Sequence, residues 1–187
     1  MERGQELSNF YFDYFVLRED GTALMVAEQF YVSEHVAPDP TSNQSVITYF
    51  YNYNDIIAID IAADGSIKWA RRVAKEQSTS NDMGTYSSYS LVDLGDEVVV
   101  LFNDNPDNAA LFADNPAADP YRFSNIKKST GVMVSISKEG EIKRKSLFSQ
   151  KDAETVLRPK LISRAGNSLI IYGQYKRSYR FGRVSLS

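Results

Sequence analysis

The sequence predicts an all-β chain built from tandem four-stranded antiparallel meander units, and three observations predict it. Ile57, Ile59 and Ile61 alternate with Ala58, Asp60 and Ala62, the period of two that sends one set to a buried sheet face. Asp64-Gly65 follows, a pair suited to a tight hairpin turn, and Ile67, Trp69 and Val73 mark the returning strand. The pattern then recurs as GVMVSISKEGEIKRKSLF from Gly131 to Phe148, with Gly140 in the place of Gly65.

A second hairpin pattern occurs three times, around Gly21, Gly95 and Gly166. Each glycine follows a short apolar-rich strand and precedes another: Leu24–Ala27, Val98–Leu101, Leu169–Tyr172. Eight positions beyond each glycine stands an amide, Gln29, Asn103 and Gln174. A recurring spacing of this kind is the mark of a repeat architecture. The chain, 1–187, is therefore one repeat domain with units at about 10–74, 86–149 and 156–187, the last lacking a fourth strand.

Element by element, Phe10–Arg18 opens the first unit and Tyr14–Tyr31 forms its first hairpin. Ser33–Ser45 is expected to be an irregular insertion, because Pro38 and Pro40 interrupt it. Val46–Val73 supplies the third and fourth strands, and Lys75–Tyr86 is a polar connector. The second unit carries a longer insertion, Asn103–Lys128, in which Asp107 is placed to cap a short helical turn. Ser149–Val156 links to the third unit, whose hairpin covers Leu157–Lys176 and whose last strand is Phe181–Leu186. Glu6–Phe12 is a candidate for that unit's missing outer strand.

Composition sets bounds. Twelve Tyr and ten Phe favour strands, and a net charge of −3 gives no general attraction to nucleic acid or membrane. The absence of Cys excludes disulfides, thiolate catalysis and cysteine zinc sites. The sequence has no run long and apolar enough to span a bilayer. The N-terminal stretch lacks the apolar core of a signal peptide, which points to the cytoplasm for a full-length chain and to a secreted or periplasmic setting for a piece of a longer one.

Four-stranded units in tandem, with glycine turns and variable loops, resemble β-propeller blades. The phrases LMVAEQFYVSE, YNYNDIIAIDIAADGSIKWARRVAKEQ and LFNDN are similar to propeller-like repeats of bacterial, Bacteroidota-type secreted or surface proteins of unknown function. The resemblance implies a fold and no activity. It covers the C-terminal portion of such a ring, so the expectation is an incomplete or open ring. Its edge strands would pair with another chain or with N-terminal blades.

Propeller geometry collects the insertions and connectors on one face, where function tends to sit. The expected ligand-binding residues there are Gln29, His35, Asn103, Asp104, Asn105, Asp107 and Gln174. No cofactor is expected, although Asn103–Asn108 is dense in oxygen atoms of the kind calcium takes. Turn formation by the same residues is the favoured alternative, since no glycine occupies a calcium-loop turn position. Glu28 and Asp60 stand in apolar strands and raise the alternative of a glycan hydrolase or lyase. Trp69 is favoured as a packing residue over a sugar-stacking one. From Arg158 to Ser187 the chain is basic without acids, favouring protected edge strands over a polyanion site. The reading reached is a non-catalytic scaffold that binds a protein or glycan. A C-terminal fragment of a larger propeller, without independent function, is the other alternative.

Overall fold

A computed structural model describes residues 8–42 and 44–186. The chain forms three antiparallel sheets in sequence order. The first contains β1 (Phe10–Leu17), β2 (Ala23–Pro38), β3 (Ser45–Ile61) and β4 (Ile67–Val73), with β5 (Gln77–Ser80) paired to β3. The second contains β6 (Ser90–Asp93), β7 (Glu97–Asp104), β8 (Thr130–Ser137) and β9 (Ile142–Ser149). The third contains β10 (Ser163–Ala165), β11 (Ser168–Tyr175) and β12 (Ser178–Ser185). All three run as meanders, each strand pairing antiparallel with the next in sequence, β5 aside.

The sheets are layered through two apolar clusters. Leu24, Val26, Ile56, Ala58 and Trp69 of the first sheet pack on Val98, Val100, Phe102, Val132 and Val134 of the second. Val99 and Leu101, the alternate residues of β7, pack with Leu169 of the third. A strand covered on both faces loses the polar half of its alternation, which is why β7 reads as the unbroken apolar run VVVLF. Each buried side chain of this size is worth roughly 1.5–3 kcal/mol, so the two contacts dominate cohesion between the sheets.

The second hairpins of the first two sheets match residue for residue at their turns. Ala62 N–H donates to Ser66 O, and Ser137 N–H donates to Glu141 O. Gly65 and Gly140 take φ of +84° and +81°. The first hairpins match less simply than the glycine spacing suggests. Arg18 N–H closes on Thr22 O across three residues, whereas Leu94 N–H closes on Glu97 O across two. In the third sheet Ala165 pairs with Ser168, again across two. The structurally equivalent residues are therefore Thr22, Glu97 and Ser168, and alignment on Gly21 is displaced by one in the first sheet. Ala23, Val98 and Leu169 share one face, while Leu24, Val99 and Ile170 share the other.

Several sequence expectations are corrected. Ser33–Ser45 is not irregular throughout: β2 runs to Pro38, which pairs with Ser45 at the start of β3. Proline is tolerated there because it ends the strand and the next cross-strand bond is made by its neighbour, Asp39 N–H donating to Gln44 O. The connector 75–86 contains β5, paired with Phe50–Tyr53. Phe10–Phe12 belong to β1 and pair with Ala27–Gln29, so they are not the outer strand of the third unit; Glu6 and Leu7 lie outside the described residues. Asp107 precedes α1 (Asn108–Asp114), but its side chain makes no capping bond. The link 149–156 is not plain loop, since it holds α2 (Gln150–Ala153).

Trp69 is buried, and its indole N–H donates to Lys138 O at the second hairpin of the next sheet. An extra residue, Lys68, lies between the pairs Ile61–Ile67 and Asp60–Trp69, and this bulge turns Trp69 to the inner face. The same hairpin explains an expected asymmetry between two glycines. A Cβ at Gly140 would meet Trp69 Cγ at 2.9 Å, whereas one at Gly65 meets nothing within 4 Å. Gly65→Ala should cost only the left-handed backbone penalty of roughly 1–2 kcal/mol. Gly140→Ala should cost clearly more in urea unfolding, and equal losses would show that the contact with Trp69 is unimportant.

Candidate binding site

The long segments meet at one end of the layered sheets. Phe123, from the insertion of the second sheet, accepts from Ser78 N–H and donates to Glu76 O in the first connector. Gln150 N–H, in the second connector, donates to Ser129 O of that insertion. A recess of about 380 Å³ lies where β1, the start of β6 and the segment leading into β10 approach one another. Asp13, Tyr14, Ser88, Tyr89, Ser90 and Lys160 give it its chemistry.

Asp13 reaches the recess because β1 is bulged there. Phe12 pairs with Ala27 and Tyr14 with Val26, leaving Asp13 with no partner on β2. An extra residue in one strand bends the backbone and re-aims its side chain. The Asp13 carboxylate accepts from Tyr89 Oη at 2.9 Å. Tyr89 is buried in the cluster between the first two sheets, and the Tyr14 ring lies 5.8 Å from its own. Loss of water around the carboxyl raises the Asp13 pKa above the ordinary value of 3.8, an effect larger than the opposing Tyr89 hydrogen bond and the positive charges of Lys160 and Lys75. Burial and the neighbouring Asp13 charge push the Tyr89 phenol upward. Tyr89 is therefore a standing donor at neutral pH.

Lys160 lies on the far side, its Nζ 3.2 Å from Tyr53 Oη and 4.7 Å above the Tyr53 ring. Tyr53 is in turn packed on Phe30, with ring centroids 4.5 Å apart. Lys160 is itself exposed, so the cation is presented to solvent on an aromatic support.

The floor is Ser88, buried, with φ of +67°. Left-handed backbone is uncommon for serine and persists where neighbours fix it. Ser88 N–H donates to Gln77 Oε1 at 2.8 Å, and its hydroxyl donates to Glu28 Oε2 at 2.6 Å. Lys75 Nζ donates to Glu28 Oε1 at 2.7 Å, to Tyr53 O at 2.9 Å and to Gln77 Oε1 at 3.2 Å. Both charges are sealed from water, with Glu28 3% and Lys75 1% exposed. Burial lowers the Lys75 pKa despite the adjacent carboxylate, but three acceptors on one ammonium support an ion pair.

The anticipated residues have other occupations. Asn103 is fully buried; its amide donates to Tyr86 O and Leu157 O, and its Oδ1 accepts from Leu157 N–H. Asp104 is buried against Arg144 at 2.6 Å and also accepts from Asn108. Burial raises the Asp104 pKa and lowers that of Arg144, each against the pull of its partner. Asn105 donates to Arg122 O and accepts from Asp107 N–H. Asp107 is exposed beside it. Gln29 bridges Ser8 O and the Asn54 amide, and Gln174 accepts from Arg158. His35 is an exposed strand residue opposite Thr48. Among the described residues no three His, Asp or Glu side chains converge as metal ligands, and no helix is long and apolar enough to cross a membrane.

Asp13, Tyr89 and Lys160 were missed by sequence reasoning. A bulge leaves no mark in residue type, and the three come together only through packing between sheets. Glu28 and Asp60, considered as a catalytic pair, lie on the same face but four residues apart along paired strands, about 13 Å. Asp60 is also occupied, by Arg18 at 2.5 Å. The separation exceeds the span of glycosidase carboxylates, and each is held by a cation.

No protein-family model matches this chain, and no curated protein or solved structure matches it.

Two outcomes are expected. Lys75→Met should lower stability by about 3–5 kcal/mol, because it strands Glu28 as a buried charge. The double variant Glu28→Gln/Lys75→Met should recover much of that loss in chemical unfolding. For Asp13, NMR titration should give a midpoint above 3.8. Tyr89→Phe should raise it further by removing a donor to the charged form. Since the folded pKa is the higher one, the Asp13 contribution to stability is full below 3.8 and is lost as pH rises through the folded value.

Proposed function

We propose that the chain is a non-catalytic, β-propeller-like binding module that takes a glycan in the recess between β1, the start of β6 and the segment leading into β10. The observation that carries this reading is the pairing of an aromatic wall with unlike polar groups at one mouth. Tyr14 offers a ring face, Asp13 an acceptor and Lys160 a donor. A sugar ring has an apolar face to stack and hydroxyls that both donate and accept, so it matches all three. The propeller-like reading is supported by the consistent layering: each sheet turns the same register face to its predecessor, Val98 in the second and Leu169 in the third.

A non-catalytic role is favoured by the arrangement of carboxylates. Acid–base cleavage of a glycosidic bond ordinarily uses two, and within the recess Asp13 stands without a free partner among the described residues. Glu28, behind the floor, is closed off by Ser88 and Lys75.

A second reading has its own observation. Beyond Tyr31 and Asn52, β2 and β3 continue as a ribbon whose exposed side chains include Val32, Val36, Ile47 and Tyr49. Such a projecting apolar ribbon suits a protein partner.

A glycan array followed by calorimetry on a hit tests the principal reading. Tyr14→Ala should weaken binding about tenfold, the value of a stacked ring. Lys160→Ala should also weaken it, while His35→Ala should leave it unchanged. Product release from the bound glycan, or binding indifferent to Tyr14 and Lys160, would overturn it.

A further inference from the structure

The layering leaves the two ends of the stack open, and they are the two halves of one kind of contact. Val98 and Val100 of the second sheet meet the first, and Leu169 and Ile171 of the third meet the second. The equivalent residues of the first sheet are Ala23 and Met25, on the face turned away from the second. That face is extended by Phe12, Phe15 and Leu17 of β1, which are 70%, 67% and 70% exposed. At the other end, Val99 and Leu101, which the second sheet turns to the third, correspond to Ile170 and Tyr172. Their face carries Phe181 opposite Tyr172, 76% exposed.

We propose that a second copy of this chain covers the outer face of the first sheet with the outer face of its own third sheet, closing two three-sheet stacks into one six-sheet ring. The proposal rests on the propeller-like reading of the stack and extends it. The occupant follows from continuity. The step from first to second sheet is repeated from second to third, and a further step from the third requires a sheet facing outward like the first. A second copy carries that sheet, and the same step at its own far end returns to the starting chain. A contact between unlike faces gives a ring when the rotation closes and an open filament when it does not. Six sheets lie within the range of about four to eight blades that close as propellers.

Sedimentation velocity over a wide concentration range tests this. The expected species has twice the 21.1 kDa chain mass. Phe15→Glu and Phe181→Glu, on opposite open faces, should each give monomer. Mixing the two should restore dimer, because one junction of the pair then remains apolar on both sides. Monomer for the unaltered chain at every concentration, a ladder of larger oligomers, or dimer persisting in either variant would each overturn the proposal. Trp69 is the one tryptophan and is buried between the first and second sheets, so its emission reports on the stack separately. Blue-shifted emission with a monomeric unaltered chain defeats only the second copy. Solvent-exposed emission from the unaltered chain defeats the layered stack itself.

Discussion

At each junction between sheets, a buried polar side chain six residues past the closing pair of the first hairpin grips the segment that leads into the next sheet. Glu28 does this from β2, accepting from Ser88 just before β6. Asn103 does it from β7, bonding Leu157 on the approach to β10. Apolar packing supplies most of the free energy, but it is non-directional and would tolerate sliding. A buried hydrogen-bonding group left unpaired costs about 1–3 kcal/mol, so these contacts fix where one sheet sits on the next. The recess is a consequence of that placement, because Ser88 and Tyr89 are held where they face Asp13 on the neighbouring sheet.

The first junction has a further tie. Arg144 donates to Asp104 and to Ala74 O, while its guanidinium lies 4.1 Å from the Phe112 ring centroid. One side chain thereby connects the outer strand of the second sheet, the end of β7, the first connector and α1. The insertion 105–129 is ordered by such contacts and by the exchange of backbone hydrogen bonds between Phe123 and the first connector.

Much of this architecture was legible in the sequence. The strand alternation and the turns at Gly65 and Gly140 were visible, since a reversal through positive φ demands glycine-like residues at a fixed offset. The register of the first hairpin was not. Whether two or three residues separate the closing pair is decided by hydrogen bonding across the turn, and glycine fits either. Aligning on Gly21 therefore put Gln29 in the series with Asn103 and Gln174, where the structure puts Glu28. The strand ending at Pro38 was hidden for a related reason: proline marks the loss of a donor but does not say on which side of the turn the loss falls. Asp13 and Lys160 were illegible altogether, because a local bulge and a distant connector have to meet before either has a partner.

The shift from amide to carboxylate at the first junction explains the buried ions around it. A carboxamide donates and accepts, so Asn103 satisfies two carbonyls and one N–H without help. An ionised carboxylate only accepts, and Glu28 has to be met by donors from elsewhere. Ser88 supplies one and Lys75 the other, and Gln77 completes the set by accepting from both Lys75 Nζ and Ser88 N–H. Delivering N–H and hydroxyl of the same serine to two acceptors constrains its backbone, which accounts for the left-handed φ at Ser88. An amide at position 28 would remove the need for a cation and relax that constraint. The charged arrangement ties the rigidity of the recess floor to one ion pair, and it places a fixed serine where the flanking tyrosine can aim its hydroxyl at Asp13.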